Sequence, residues 1–236
     1  MKYSKEDSNS FAIGMFATME LLNNKPESVI EIYYHKNIKQ TEDVVKLFKL
    51  CEQKHIKLSE RTKFIENLAK KENVFIVAEF KKFYNNIDNN NHLVLVNPSD
   101  MGNLGTILRT ALANDFLNIA IIKPCADIFN PKVVRASMGA IFSLNIKLFD
   151  SFDDYYNQFK NRKLYMFCLQ TNTYLQDIKS FVTPYSLVFG NEATGLPQDI
   201  CNMGQKVKIK QSKKVDSFNL AISVAMALYH STLNIE

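Results

Sequence analysis

No stretch of this chain reaches the roughly 18 consecutive apolar residues that a membrane crossing requires. The opening "MKYSKEDSNSFAIGMF" is too broken by charge to supply the apolar core of a secretory leader. Cysteine is scarce and scattered. Cys51, Cys125, Cys168 and Cys201 form no C-x-x-C pair and have no histidines nearby, which argues against a zinc site or a disulfide frame. The expectation is free or buried thiols in a reducing compartment, hence a cytoplasmic protein with no membrane partner and no metal. No internal repeat is present.

Two further absences concern ligands. "LVFGNEATGLPQDI", residues 187–200, spaces Gly190 and Gly195 like a phosphate loop after a strand-like run. Leu196 and Pro197, however, stand where that loop needs its phosphate-holding lysine and its magnesium-holding hydroxyl. "NPSDMGNLGTILRT", residues 97–110, lacks the third glycine of a dinucleotide fingerprint. Magnesium triphosphates and NAD are therefore poor candidates. Glu192 adds negative charge to the glycine loop, which repels a triphosphate and suits a cationic or hydroxyl-rich ligand.

What is present is ordinary for globular protein: 46% hydrophobic and 22% charged residues in 236. The net charge of +5 permits an anionic partner such as RNA without demanding one. The polar, Asn-rich run "YNNIDNNNH", residues 84–92, favours turns and is unsuited to burying a face. It divides the chain into a small α/β domain (1–84), a linker (85–91) and a larger domain (92–236). In the first, "SFAIGMFATMELL" has helical spacing after a candidate cap, Ser10. "SVIEIYYH" and "NVFIVAEF" read as strands, and "TEDVVKLFKLCEQ" and "ERTKFIENLAKK" as helices. In the second, the runs "HLVLVN", "LNIAIIK", "FSLNIKLF", "KLYMFCLQ", "YSLVFG" and "KVKIK" read as strands. Helices are expected in "GNLGTILRTALAN", "PKVVRASMGA" and "DSFNLAISVAMALYHSTL". Apolar strands between helices imply an α/β fold with a mostly parallel sheet, and ligands beyond the carboxyl ends of its strands.

Three loops at strand ends carry the polar residues of interest. In 97–110, Asn103 and Arg109 lie some 240° apart on a helix, so they converge only if Asn103 sits in the loop before it. The same spacing also suits a capped helix with an exposed arginine. The 187–200 loop also reads as a plain strand-to-helix turn. The third places five lysines between 206 and 214 beside Asp216, Ser217 and Asn219, a stretch that also suits a solvated face. The helix after it has an apolar face at Leu220, Val224 and Leu228 suited to close packing, in the core or across a dimer.

In this order the set resembles the SpoU/TrmH family of RNA 2′-O-ribose methyltransferases, of the SPOUT class. "NPSDMGNLGTILRTA", "LVFGNEATGLP" and "DSFNLAISVAMALY" are similar to its three motifs, and "FNPKVVRASMGAIF" to a segment between them. The first 84 residues resemble the L30e-like RNA-binding domain often fused ahead of it. The resemblance implies a deep trefoil knot, a homodimer with a shared active site, and S-adenosylmethionine as cofactor. It places Gly190, Ile209 and Phe218 around that cofactor. Arg109 matches the family's catalytic arginine. A guanidinium is a poor base, so its implied role is to clamp a phosphate and stabilise the forming alkoxide. Asn103 is implied to orient the ribose, and Glu192, Ser217 and Asn219 to shape the pocket. The expected substrate is structured RNA, ribosomal before transfer, the alternative being a catalytically silent RNA-binding protein of the same fold. The sequence departs from the family pattern in two motifs: Phe218 stands in a Ser-Leu-Asn motif, and Asn114 and Asp115 close the first helix.

Overall fold

The computed structural model describes residues 3–69 and 73–233. In chain order the elements are β1 (Asn9–Ile13), α1 (Met15–Asn24), β2 (Val29–Tyr34), α2 (Glu42–Gln53), β3 (Leu58–Glu60), α3 (Thr62–Ala69) and β4 (Ile76–Lys81). Then follow β5 (His92–Val96), α4 (Met101–Ala113), β6 (Asn118–Ile122), α5 (Pro131–Ala136), β7 (Asn145–Phe149), α6 (Phe152–Gln158) and β8 (Lys163–Phe167). The last are β9 (Tyr185–Phe189), α7 (Gln198–Cys201), β10 (Gln205–Val207) and α8 (Leu220–Thr232). They divide into two compact units. One holds Met1–Phe83 with Asp127–Ser143, the other Tyr84–Ala126 with Leu144–Glu236. Residues 127–143, which the sequence places in the larger domain, thus pack in the first unit.

The first unit is built on a four-stranded sheet of order β1-β4-β2-β3, parallel only between β2 and β3. Its edge strand β1 replaces the start of the helix expected from Ser10. Ser10 is fully buried in that strand and donates to the Phe129 carbonyl, so it caps nothing. The helix begins only after Gly14. Thr41 caps α2 as its sequence suggests, accepting from Val44 N. The helix expected over "ERTKFIENLAKK" is found as α3, and Lys70 and Lys71 lie outside the described residues. Segment 127–143 contributes aromatic surface. Phe129 and Phe142 pack edge-on against Phe80 at 6.1 and 5.2 Å, and Phe83 meets Phe129 at 5.2 Å.

The second unit carries a six-stranded sheet of order β10-β8-β9-β5-β6-β7, parallel throughout. Strands β5, β6 and β9 are buried at every residue, which is why they read as unbroken apolar runs. Helix α6, which the sequence reading passed over, is started by a capping box between Ser151 and Asp154. Its Tyr155 is buried among Val94, Phe149 and Phe159. Among the described residues no helix is long and apolar enough to cross a membrane.

Polar side chains anchor the Asn-rich run to this sheet. His92 Nε2 donates to the Asp88 carbonyl (2.6 Å), and its Nδ1 accepts from Tyr155 Oη (2.9 Å). Tyr155 Oη meets Ser186 Oγ (2.6 Å), which accepts from Arg162. Arg162 also donates to the carbonyls of Asn89 and Asn90, and Asn118 Nδ2 to Asp88 Oδ1. Burial, then the nearby Arg162 charge, pushes the His92 pKa down to about 4. Ile87, the one aliphatic residue of the run, is buried in the core. The run therefore does bury a face, through one side chain and a set of hydrogen bonds.

The expectation of four free thiols is corrected. Cys168, just beyond β8, is bonded to Cys201 at the end of α7, across a sequence separation of 33. Cys51 and Cys125 take no part in that bond. The spacing of Cys168 and Cys201 carries no hint of the bond, because the two cysteines are brought together only by the pairing of β8 with β9 and β10.

Candidate active site

The order of the parallel sheet reverses at its middle, where β5 is flanked by β6 on one side and β9 on the other. Ligands of such sheets bind beyond the carboxyl ends of strands at this point. A cleft of about 210 Å³ lies there, lined by the ends of β8 and β9, the 190–195 loop, residues 207–211 and the start of α8. The rings of Phe167 and Phe189 stack on its wall, 4.1 Å between centroids and 12° from parallel.

The 190–195 loop is closed by its own backbone. Asn191 N donates to Gly195 O (3.1 Å) and Gly195 N returns to Asn191 O (2.9 Å). A Cβ on Gly190 would stand 2.1 Å from the Gly195 carbonyl carbon and 2.2 Å from Leu196 N. Glycine is needed there so that the loop can fold back on itself. Gly195 serves differently, taking a φ of +68° with open space around its α-carbon.

Side chains then tie this loop to the one after β5. The Glu192 carboxylate accepts from Ser99 N (3.1 Å), Ser99 Oγ (2.9 Å) and Asp100 N (3.1 Å). Burial alone would raise its pKa; hydrogen bonds from its own backbone, Ser99 and Asp100 outweigh that and hold it below the usual carboxylate value. Asn191, which the sequence reading did not single out, donates through Nδ2 to Asn97 O (2.8 Å). Its Oδ1 accepts from Ala193 N (2.9 Å). That second bond is a local turn of the kind asparagine favours, the one sequence signal that pointed to it.

The eight expected site residues fall into three groups. Gly190, Glu192, Ile209, Ser217 and Phe218 all line the cleft. Asn103 and Asn219 are joined outside its lining, Asn219 Nδ2 donating to Asn103 Oδ1 at 3.0 Å. Asn219 is also the N-cap of α8, its Oδ1 accepting from Ala221 and Ile222. Arg109 is exposed on α4 and is not part of the cleft lining. Asn103 lies in the first turn of α4, not in the loop before it. Asp100 is the N-cap, and its carboxylate accepts from Asn103 N at 2.7 Å. With both on one helix, Asn103 and Arg109 face different ways and do not converge within a single chain. Among the described residues no three His, Cys, Asp or Glu side chains gather as a metal site would need.

Residues 90–229 match the SpoU rRNA Methylase family. The chain is 34% identical over 142 residues to an uncharacterised tRNA/rRNA methyltransferase of Synechocystis, covering 59% of this chain and 52% of that protein. It thus spans about half the length of that relative. It is 28% identical over 146 residues to a putative tRNA (cytidine(34)-2′-O)-methyltransferase of Bacillus subtilis, covering 59% of this chain and 90% of that one. Among solved structures it resembles the AdoMet-bound rRNA methyltransferase of Sinorhizobium meliloti. The TM-score is 0.82 at 22% identity, over 97% of this chain and 88% of that one.

Proposed function

The chain belongs to the SpoU rRNA Methylase family, and on that footing we propose that it transfers a methyl group from S-adenosylmethionine to a ribose 2′-hydroxyl of structured RNA. The observation that carries this is the convergence of Gly190, Ile209 and Phe218 on one cleft at the switch point of the sheet.

The cleft suits that cofactor. Stacked phenylalanines and a closed backbone loop offer faces for an adenosine, Ser217 offers a hydroxyl, and nothing in the 190–195 loop cradles a triphosphate. When bound, S-adenosylmethionine supplies a methyl group on positively charged sulfur. Ser217 and the loop backbone hold it; Glu192 acts at one remove, locking that loop to the start of α4. Asn103 orients the ribose. Arg109 clamps an adjacent phosphate and stabilises the developing alkoxide, leaving the proton to a phosphate oxygen of the substrate. Much of the rate enhancement then comes from holding oxygen and methyl in near-attack geometry.

Arg109 stands apart from the cleft of its own chain, so we assign it to the cleft of a second copy. Helix α8 supports a homodimer. Ile222, Met226, Tyr229 and Leu233 are 48, 37, 63 and 58% exposed and follow one another at helical spacing. A Tyr229→Glu change is expected to yield monomers in sedimentation and to abolish transfer.

We take ribosomal RNA as the substrate. The ribosomal-RNA neighbour extends over 97% of the chain, whereas the transfer-RNA relative, matched over 90% of its own length, covers only 59% of it. The first 84 residues are then an L30e-like RNA reader.

The test is incubation of the purified chain with methyl-labelled S-adenosylmethionine and unmodified bacterial RNA, beside Arg109→Ala. RNA is size-separated and digested to nucleosides. Label in a 2′-O-methyl nucleoside of ribosomal RNA, absent with the variant, is the expected result. Cofactor binding without transfer to any RNA, assembled subunits included, would overturn methyl transfer and favour the silent RNA binder instead.

A further inference from the structure

The segment 206–214 carries Lys206, Lys208, Lys210, Lys213 and Lys214, with Asp216 the one acid between 205 and 219. Holding five ammonium groups this close costs electrostatic energy unless counter-charge is near. Folding does not provide it. The ion pairs among the described residues are His35–Glu66, Lys57–Glu31 and Lys123–Asp150, and none includes these lysines.

The segment's path is fixed. Lys208 is bound through its backbone, its N–H donating to Thr173 O (3.0 Å) and its carbonyl accepting from Leu175 N (2.8 Å). Its Nζ lies 4.8 Å from the centre of the Tyr174 ring. Lys208, Ile209 and Gln211 line the cleft; the chain then leaves it and returns at Ser217 and Phe218. Between these points Gln211 Nε2 donates to Asp216 O (2.8 Å), and Lys214 N to Ser212 Oγ (3.2 Å). The result is a small folded tongue on the cleft rim, with Lys210, Lys213 and Lys214 exposed.

We propose that this tongue grips the phosphodiester backbone of the RNA strand beside the nucleotide presented to the cleft, with Lys210, Lys213 and Lys214 each facing a phosphate. The inference rests on the reading of the protein as an RNA-modifying enzyme. It gives a role to the lysines of the third loop, none of which is among the eight expected site residues. Ammonium groups on long side chains neutralise phosphates without reading bases, so the tongue contributes affinity and placement, not sequence preference.

The test compares the full chain with a Lys210→Ala, Lys213→Ala, Lys214→Ala variant. RNA affinity is measured across a salt series, with S-adenosylmethionine affinity measured in parallel. Each lost phosphate contact on a single strand changes the slope of log K against log salt by about 0.7. The variant is expected to show a slope shallower by ~2 and weaker binding at low salt, with cofactor affinity unchanged as the check on folding. An unaltered slope with normal wild-type RNA binding overturns the tongue and leaves the enzymatic reading standing. A uniform loss of affinity with an unaltered slope also overturns it, since removal of phosphate contacts must change the salt dependence. Failure of the wild-type chain to bind any RNA while binding cofactor overturns both.

Discussion

Asn219 reaches Asn103 across 116 positions of sequence, its Nδ2 donating to Asn103 Oδ1 at 3.0 Å while its own Oδ1 caps helix α8. One amide thus does two separable things. Asn103→Ala removes the link and spares the cap, so it should lower methyl transfer with little change in the urea midpoint. Asn219→Ala removes both, and a further loss of about 1 kcal/mol is expected from the missing cap. Equal destabilisation by the two changes would contradict this division of labour.

Gly190 and Gly195 should respond differently to alanine. A methyl group at 190 collides with the backbone of Gly195 and Leu196, so the loop cannot close. At 195 it meets open space and carries only the strain of a left-handed φ, about 1–2 kcal/mol. Gly190→Ala is expected to weaken S-adenosylmethionine binding by ~100-fold, close to 3 kcal/mol, and Gly195→Ala by much less. Calorimetric titration with the cofactor decides, and comparable losses would show that the loop does not close as described.

Stability should carry the signature of His92. Its pKa is 6.5 when unfolded and about 4 in place. The unfolded chain therefore takes up a proton that the folded chain refuses. Stability is fully present above pH 6.5, falls as pH drops toward 4, and loses about 3 kcal/mol over that window. His92→Gln, which cannot titrate, should flatten this part of a urea-midpoint profile against pH. Persistence of the same slope in the variant would assign it to other groups.

The Cys168–Cys201 bond closes a separation of 33 residues, for which chain entropy predicts a stabilisation of ~3–4 kcal/mol. Reduction, or Cys201→Ser, should lower the urea midpoint of the second unit accordingly. Mass spectrometry after alkylation in denaturant without reductant should find label on Cys51 and Cys125 only; label on all four would show that the bond is not formed.

The sheet of the second unit was legible because its strands are buried on both faces, and burial leaves an uninterrupted apolar run such as "LVLV" or "IAII". Strand β1 was hidden by the opposite circumstance. It is five residues long and runs straight into α1, so the apolar residues of both merge into one apparent helical face. In the site, Gly190 and Phe218 were legible through their motifs, whereas Asn191 and the Ser99–Glu192 contact were not. Those depend on two loops meeting across about 90 residues, and no local periodicity records such a meeting. Whether Asn103 sat in the loop or on the helix was left open by the spacing, and the capping by Asp100, three positions before it, decides for the helix.

The return of residues 127–143 to the first unit has a consequence for synthesis. Ribosomes release domains from the amino end, and a domain ordinarily folds once its last residue has emerged. Here the first 83 residues emerge well before Phe129 and Phe142, whose rings pack on Phe80 and Phe83. Until translation passes residue 143, that aromatic surface lies open to chaperones and to other nascent chains. By then β5, α4 and β6 of the second unit have also been made, so the first unit can close only after synthesis of the second has begun.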